Sequence, residues 1–343
     1  MITTAALATP EAVCRFHDEC ECRRDVADGS QKMTAYTNLG RAILKVHRVS
    51  VLVIAVACLS GCVTVAKTGS AECAESQVLR LERVATITNL RQPESVAADV
   101  DKGVIFISNV DAEKDEYYKD DGRSFITRAT SGGRVKELRW LDSRPETPIN
   151  GAKGTCVFGG YLYFSDNTRL LRAPLGKPGK VEVVALPDTQ MLNDVATDGM
   201  SIYVSDIGQG IVYRVDEKRH SCALKAPPSV NGITFHKGRM FAVSWDLHEI
   251  YEVDPLGQRV PEPFNLASHF TKLDGIEVLD DGTFLVSDFA GNKICAVSAD
   301  RKSVTTLLDI AAPADIGVDL RRHLLFVPQF LENTVVIFRL RRE

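Results

Sequence analysis

The chain has 343 residues, long enough for one large domain or two ordinary ones. It is 45% hydrophobic and 25% charged, the composition of a folded globular protein rather than a disordered one. The formal net charge of −4 gives no global basic field, so no nucleic-acid partner is expected. Short runs of Val, Ile, Thr and aromatic residues sit between Gly, Asp and Pro, which is an all-β texture.

Residues 1–32 are polar and carry Cys14, Cys20 and Cys22 in "CRFHDECECRR". A metal knuckle there lacks a second Cys/His pair of matching spacing. The favoured reading is a start site set too early, with the true start at Met33 or later. Residues 33–61 read as an export signal: Arg41, Lys45 and Arg48 precede the apolar run in "VSVLVIAVACLSGC". That run is too short for an ordinary transmembrane helix. It ends in Leu59-Ser60-Gly61-Cys62, which resembles the lipobox of bacterial lipoproteins. The resemblance implies cleavage before Cys62 and lipidation of its thiol. The chain would then be lipid-anchored in the bacterial envelope, on the periplasmic side or the outer surface. A plain secretory signal, or a short anchor that is never cleaved, is the alternative. Residues 62–78 form the tether. Cys73, Cys156, Cys222 and Cys295 are scattered singly, which favours buried thiols over a disulfide framework.

From residue 79 onward one phrase recurs: polar residue, short strand, turn, short strand. It reads "PESVAADVDKGVIFISN" from 93, "AKGTCVFGGYLYFSD" from 152, "LNDVATDGMSIYVSD" from 192, "VNGITFHKGRMFAVSW" from 230, "LDGIEVLDDGTFLVSD" from 273 and "ADIGVDLRRHLLFVPQ" from 314. Four copies close on Asn109, Asp166, Asp206 or Asp288. A third strand usually follows, as in "GIVYRVD", "HEIYEVD" and "NKICAVS". Repeats of this length, with three or four strands each, predict a six-bladed β-propeller. The last copy ends on a third strand, "NTVVIFRL", and "RLERVATITNL" (80–90) precedes the first copy. The early strand is expected to complete blade 6 and so remove the open edges of the ring.

Aligning the second strands puts one polar residue in register per copy: Glu94, Lys153, Asn193, Asn231, Asp274 and Asp315. Their spacings are 59, 40, 38, 43 and 41. The long first interval holds an insertion, "DAEKDEYYKDDGRS". In a propeller the first strand of each blade lines the central channel, so these six residues should ring one end of it. Carboxylates with amide carbonyls are hard oxygen ligands of mixed charge and suit Ca²⁺. Mn²⁺ or Zn²⁺ are possible occupants of such a site. There is no His or Cys cluster for a zinc site.

The phrases "PES", "LND…SIYVSD", "VNG" and "LDG…FLVSD" resemble the gluconolactonase and regucalcin (senescence marker protein) superfamily, over about residues 80–340. More distantly the chain is similar to diisopropyl fluorophosphatase and paraoxonase. The resemblance implies one divalent metal held by Glu94, Asn193, Asn231 and Asp274, and a metal-dependent hydrolase of lactones or related esters. Asp274 would be both ligand and base or nucleophile, and Asp315 a neighbour in acid/base or supporting work. The expected partner is a small lactone or ester, and the expected state a monomer. Lys153 departs from the pattern. It could pair with Glu94 or Asp315, bind a substrate carboxylate, or replace the metal with its ammonium. Blade 6 has Gln329 and no His, so a histidine proton relay lacks support. Trp245, where other blades carry Asp, is a wall of the mouth or a structural aromatic.

Blander readings stand beside these. Asn and Asp at strand starts often bond their own backbone. The Asp at each second strand's end reads as blade architecture. The Tyr117–Tyr118 insertion is a solvated loop or a lid over the channel. A non-catalytic envelope propeller that binds a ligand or protein is the alternative to the hydrolase, because fold does not fix function. A strictosidine-synthase-like propeller is a third.

Overall fold

Six four-stranded antiparallel sheets stand around a central channel in the computed structural model, which describes residues 78–343. The readings on the upstream segment, the export signal, Cys62 and Cys73 lie outside the described residues. Among the described residues helix is limited to one 3₁₀ turn, Ala267–His269. The predicted propeller is therefore the observed fold.

The first, channel-lining strands of blades 1 to 5 are Pro93–Asp99, Ala152–Phe158, Leu192–Thr197, Val230–His236 and Leu273–Val278. Blade 6 begins with the short strand Gly317–Asp319. Closure follows the predicted overlap. The early strand Leu79–Ile87 pairs antiparallel with the last strand Thr334–Arg342, with Leu79 opposite Arg342 and Ile87 opposite Val335. The first and last strands of the described residues thus share one sheet. Opening the ring would expose both strands' backbone groups at once.

Apolar residues of adjacent blades interlock as the core. Between blades 4 and 5, Phe241, Phe264 and Phe284 meet edge to face, with centroids 4.9 to 6.1 Å apart. Within blade 1, Phe106 lies 4.7 Å from Trp140, and both belong to the cluster that holds Leu162 and Phe164 of blade 2. Such large-ring contacts dominate interior packing, and truncating one to Ala costs about 3–5 kcal/mol. Cys156 and Cys295 are buried thiols inside this packing, as their isolation in the sequence suggested.

The blade design also explains the recurring Ser-Asp ending. Asp166 accepts from the amides of Asn150 and Gly151 at 2.6 and 2.7 Å. Asp206 and Asp288 do the same for Gln190 with Met191, and for Thr271 with Lys272. Each carboxylate thus ties down the loop that enters its own first strand. These aspartates are architecture, as the sequence reading had it.

Candidate metal and catalytic site at the channel mouth

Each of the first five blades breaks register near the start of its first strand. The pairing slips by one residue between Pro93 and Val96, Ala152 and Thr155, Leu192 and Val195, Val230 and Ile233, and Leu273 and Ile276. A bulge of this kind re-aims a side chain and leaves a backbone amide without its ladder partner. In three blades the serine before the strand-end Asn or Asp fills that gap. Ser108 Oγ accepts from Ser95 N at 2.9 Å, Ser205 Oγ from Asp194 N at 2.9 Å, and Ser287 Oγ from Gly275 N at 2.8 Å. Of the two residues inside each bulge, the first is the predicted ring residue.

Glycine then lets the inner strands crowd together. A Cβ on Gly232 would sit 2.4 Å from Asp274 O, and one on Gly275 would sit 2.5 Å from Ile316 N. Only glycine fits where one blade's backbone rests on the next blade's ring residue.

The six ring residues are all buried, between 2% and 7% exposed. Asn231 Nδ2 donates to Asp274 Oδ1 at 2.9 Å. Three side-chain oxygens of the ring have no hydrogen-bond partner: Glu94 Oε2, Asn193 Oδ1 and Asn231 Oδ1. Burial, and then the Asp274 carboxylate, raises the Glu94 pKa well above the usual range. Burial pushes Asp274 up to about 7 against the hydrogen bond from Asn231. Both carboxyls lack the counter-charge that would hold them ionised.

Lys153 does not supply it. Its Nζ donates to Gly151 O at 3.0 Å and Asn167 Oδ1 at 2.9 Å, and lies 3.9 Å from the centroid of the Tyr118 ring. It acts on Glu94 only through the field, and burial lowers its own pKa to about 8. The ammonium therefore leaves the orphaned oxygens unsatisfied. Orphaned oxygens from one carboxylate and two amides, beside a second carboxylate, are the donor set of a hard divalent cation. Among the described residues no three His, Cys, Asp or Glu side chains form a metal-ligand group, so a cation here depends on the asparagine oxygens.

Asp315 stands one layer away. Its Oδ2 accepts from Ser95 Oγ at 2.7 Å. Burial, then the charge of Asp194, raises Asp315 well above its usual range. Asp194 is itself raised to about 6 by burial, although Val195 N and Ile233 N donate to it at 2.6 and 2.7 Å.

Two contributors escaped the sequence reading, and a third was named there only as part of an insertion. Asp194 sits beside Asn193 in "LND", but the one-per-blade register counted only its neighbour. Asn167 follows a strand-end Asp and holds Lys153. Tyr118 comes from the blade-1 insertion and reaches the ring: Asn193 Nδ2 donates to its hydroxyl at 3.3 Å. Asn167 Nδ2 donates to Lys119 O at 3.2 Å and Asp120 Oδ1 at 2.8 Å. The insertion thus lies over the mouth, which decides between the two readings of it in favour of a cover.

No protein-family profile matches the chain. No curated protein is similar to it by sequence. Solved structures are similar in fold. A candidate gluconolactonase aligns at 16% identity and TM-score 0.56, over 77% of this chain and 93% of that one. A catalytically inactive virginiamycin B lyase from Staphylococcus aureus, solved with quinupristin, aligns at 16% identity and TM-score 0.52, over 76% and 99%. A protein of unknown function from Bacteroides thetaiotaomicron aligns at 12% identity and TM-score 0.57, over 77% and 76%. At these identities the likeness is one of fold.

Proposed function

We propose that this propeller is a metal-dependent hydrolase of lactones or related esters, with its reaction centre at the ring. The observation that carries the reading is the set of buried, unpartnered oxygens on Glu94, Asn193 and Asn231 beside the Asp274 carboxyl. A buried acceptor without a partner costs about 1–3 kcal/mol, so a fold that keeps three together is arranged for something that binds them. Lys153 supports the reading by engaging Gly151 and Asn167 instead of filling that point. Calcium suits the donor set best, with manganese or zinc as substitutes.

Glu94, Asn193, Asn231 and Asp274 would hold the cation. When bound, it supplies Lewis-acid polarisation of a carbonyl. The chain's own residues supply the rest. Asp274, held by the Asn231 amide and with an affinity for protons close to neutrality, is placed to take a proton from attacking water. The new bond joins water oxygen to the carbonyl carbon, and the C–O bond to the leaving alkoxide breaks. The proton carried by Asp274 returns to that alkoxide. Asp315, through Ser95, and the adjacent Asp194 keep the layer beneath the ring rigid. Lys153 fixes Tyr118 over the mouth.

The export signal over 33–61 and lipidation at Cys62 belong to the same proposal and place the enzyme in the bacterial envelope. A non-catalytic binding propeller is the second reading, favoured by one observation: Tyr118 covers the ring. The two part on a single experiment. Ca²⁺, Mn²⁺ and Zn²⁺ are titrated calorimetrically into chelated protein, and a lactone panel is assayed with the best-bound ion. One saturable site together with turnover supports the hydrolase. A site without turnover supports the binder. No site in any titration removes the metal from both.

A further inference from the structure

The residue that follows each second strand forms a second tier above the ring, and this tier is not uniform. In blades 4, 5 and 6 it is aromatic: Trp245, Phe289 and Phe330. Each is fixed at the rim by its own amide. Trp245 N donates to Ser229 O at 2.9 Å, Phe289 N to Lys272 O at 2.8 Å, and Phe330 N to Ala312 O at 3.0 Å. Those carbonyls lie two or three residues before Asn231, Asp274 and Asp315, so each aromatic residue is anchored to the segment that leads into its own blade's ring residue. The aromatics touch in sequence around the rim. Centroids are 5.5 Å apart for Trp245 and Phe289, and 6.1 Å for Phe289 and Phe330. Tyr117 of the blade-1 insertion closes the arc edge-on against Phe330 at 5.1 Å.

The polar groups of the mouth, apart from the three oxygens proposed for the metal, are taken up within the protein. Lys153 and Asn167 bond each other and the insertion, and Asn193 donates to Tyr118. A polyhydroxylated substrate would bring hydroxyl groups against an aromatic arc whose charged neighbour Lys272, 5.5 Å from the Trp245 ring, is already paired with Asp246, and each hydroxyl loses its bonds to water on entry. A flat apolar group loses nothing there and gains contact with ring faces and edges. A site built to bind a sugar would show the opposite lining.

Resting on the hydrolase reading, we propose that this site selects lactones or esters with an aromatic or flat apolar group over polyhydroxylated sugar lactones. The Trp245–Phe289–Phe330 arc is the specificity wall, and Tyr118 is the jaw that faces it. The insertion is well placed for that work. It is fastened at its base, where Gln92 exchanges two hydrogen bonds with Ala112 at 2.8 and 3.1 Å, and Tyr118 is carried at its tip.

The test compares three six-membered lactones on metal-loaded protein: isochroman-1-one, which is benzo-fused, δ-valerolactone and glucono-δ-lactone. Calorimetric binding of the matching lactam, 3,4-dihydroisoquinolin-1-one, gives a readout that needs no turnover. Isochroman-1-one is expected to exceed glucono-δ-lactone at least tenfold in kcat/KM. Phe289→Ala should erase most of that ratio and weaken the lactam about tenfold, and Tyr118→Ala should lower both several-fold. Trp245→Leu serves as a second wall variant if Phe289→Ala does not fold. Turnover with no aromatic preference, or a ratio unmoved by the variants, overturns this inference and leaves the hydrolase. No turnover, with lactam binding that the wall variants lose, overturns the hydrolase and leaves the aromatic wall. Neither turnover nor lactam binding overturns both.

Discussion

The first strands of the six blades build two unlike compartments along one channel. At the mouth they bring together Glu94, Asn193, Asn231 and Asp274, three of which keep a buried oxygen without a partner. A few residues further along, the same strands line a cavity of about 250 Å³ with Val96, Val195, Ile233 and Ile276 among its walls. Polar atoms here are answered. Asp194 accepts from Val195 N and Ile233 N, Asp315 from Ser95, and Glu277 from Thr234 Oγ1 at 3.2 Å. Both compartments are acidic. Only the mouth has acceptors left over, and among the described residues the one other orphan is Arg128 Nε. Acidity by itself therefore does not mark the site; unmet hydrogen-bonding capacity does.

The largest test of this difference removes one carboxyl from each compartment. Asp274→Ala is expected to abolish metal binding and to lower lactone kcat/KM at least about 10³-fold, or about 4 kcal/mol of barrier. Glu277→Gln should leave the metal stoichiometry at one. Calorimetry on the two variants checks this directly. Equal binding by both would mean that the mouth holds no ion.

A smaller effect comes from the backbone crowding that shapes the mouth. Gly232→Ala puts a Cβ 2.4 Å from Asp274 O and 2.9 Å from Gly275 Cα, and neither atom can retreat. Overpacking of this kind costs about 1–3 kcal/mol, and it should also weaken metal binding by separating Asn231 from Asp274. Gly238→Ala is the control for cost without crowding. Gly238 has open space around its Cβ but sits at a φ of +75°, so that variant carries only strain in a turn. If the two lose the same stability and bind metal alike, close approach at Gly232 is not what positions the pair.

Smaller again is a pH effect on metal affinity. Glu94 and Asp274 hold protons too firmly because they are buried close together. A cation must displace those protons, so affinity should rise with pH by about tenfold per unit per proton until the folded pKa, about 7 for Asp274, is passed. Titrations in buffers of different ionisation enthalpy would count the protons released. A pH-independent affinity would take both carboxyls out of the ligand set.

How much of this was legible follows the same division. The repeat exposed the fold because each blade must bury the same apolar face and tie the same loop. Val, Ile and aromatic residues therefore return in register with Asp166, Asp206 and Asp288. The ring was legible for the same reason, since one bulge per blade lifts one residue toward the axis. Tyr118 was legible only as part of a loop or lid; its contact with Asn193 was not, because that contact spans 75 residues and belongs to an insertion that no other blade repeats. Asp194 was missed because a bulge brings two consecutive residues near the channel where a regular strand would bring one. The partners of Lys153 were missed because Gly151, Asn167 and Tyr118 meet only through the fold of two blades. Periodic features come through in a sequence, and the exceptions that make a site specific do not.

The smallest expected effect tests the lower compartment on its own terms. Burial, and then the charge of Asp194, pushes Glu277 up to about 8, whereas an unfolded glutamate titrates near 4.3. Between those values the folded protein holds a proton that the unfolded chain has released, so stability falls as pH rises through the window. The contribution is complete below about pH 4 and gone above about pH 8. Half-buried contact with channel water keeps the effect well below the full shift, on the order of 1–2 kcal/mol. Gln has the shape of the protonated acid and can still accept from Thr234. Glu277→Gln should therefore match the wild type near pH 4, exceed it by about that amount at pH 8, and flatten the slope between. Denaturant melts at four pH values would show it. Parallel curves would mean that the cavity hydrates the carboxylate fully. The channel would then be wet along its whole length, and its two halves would differ only in what they can bind.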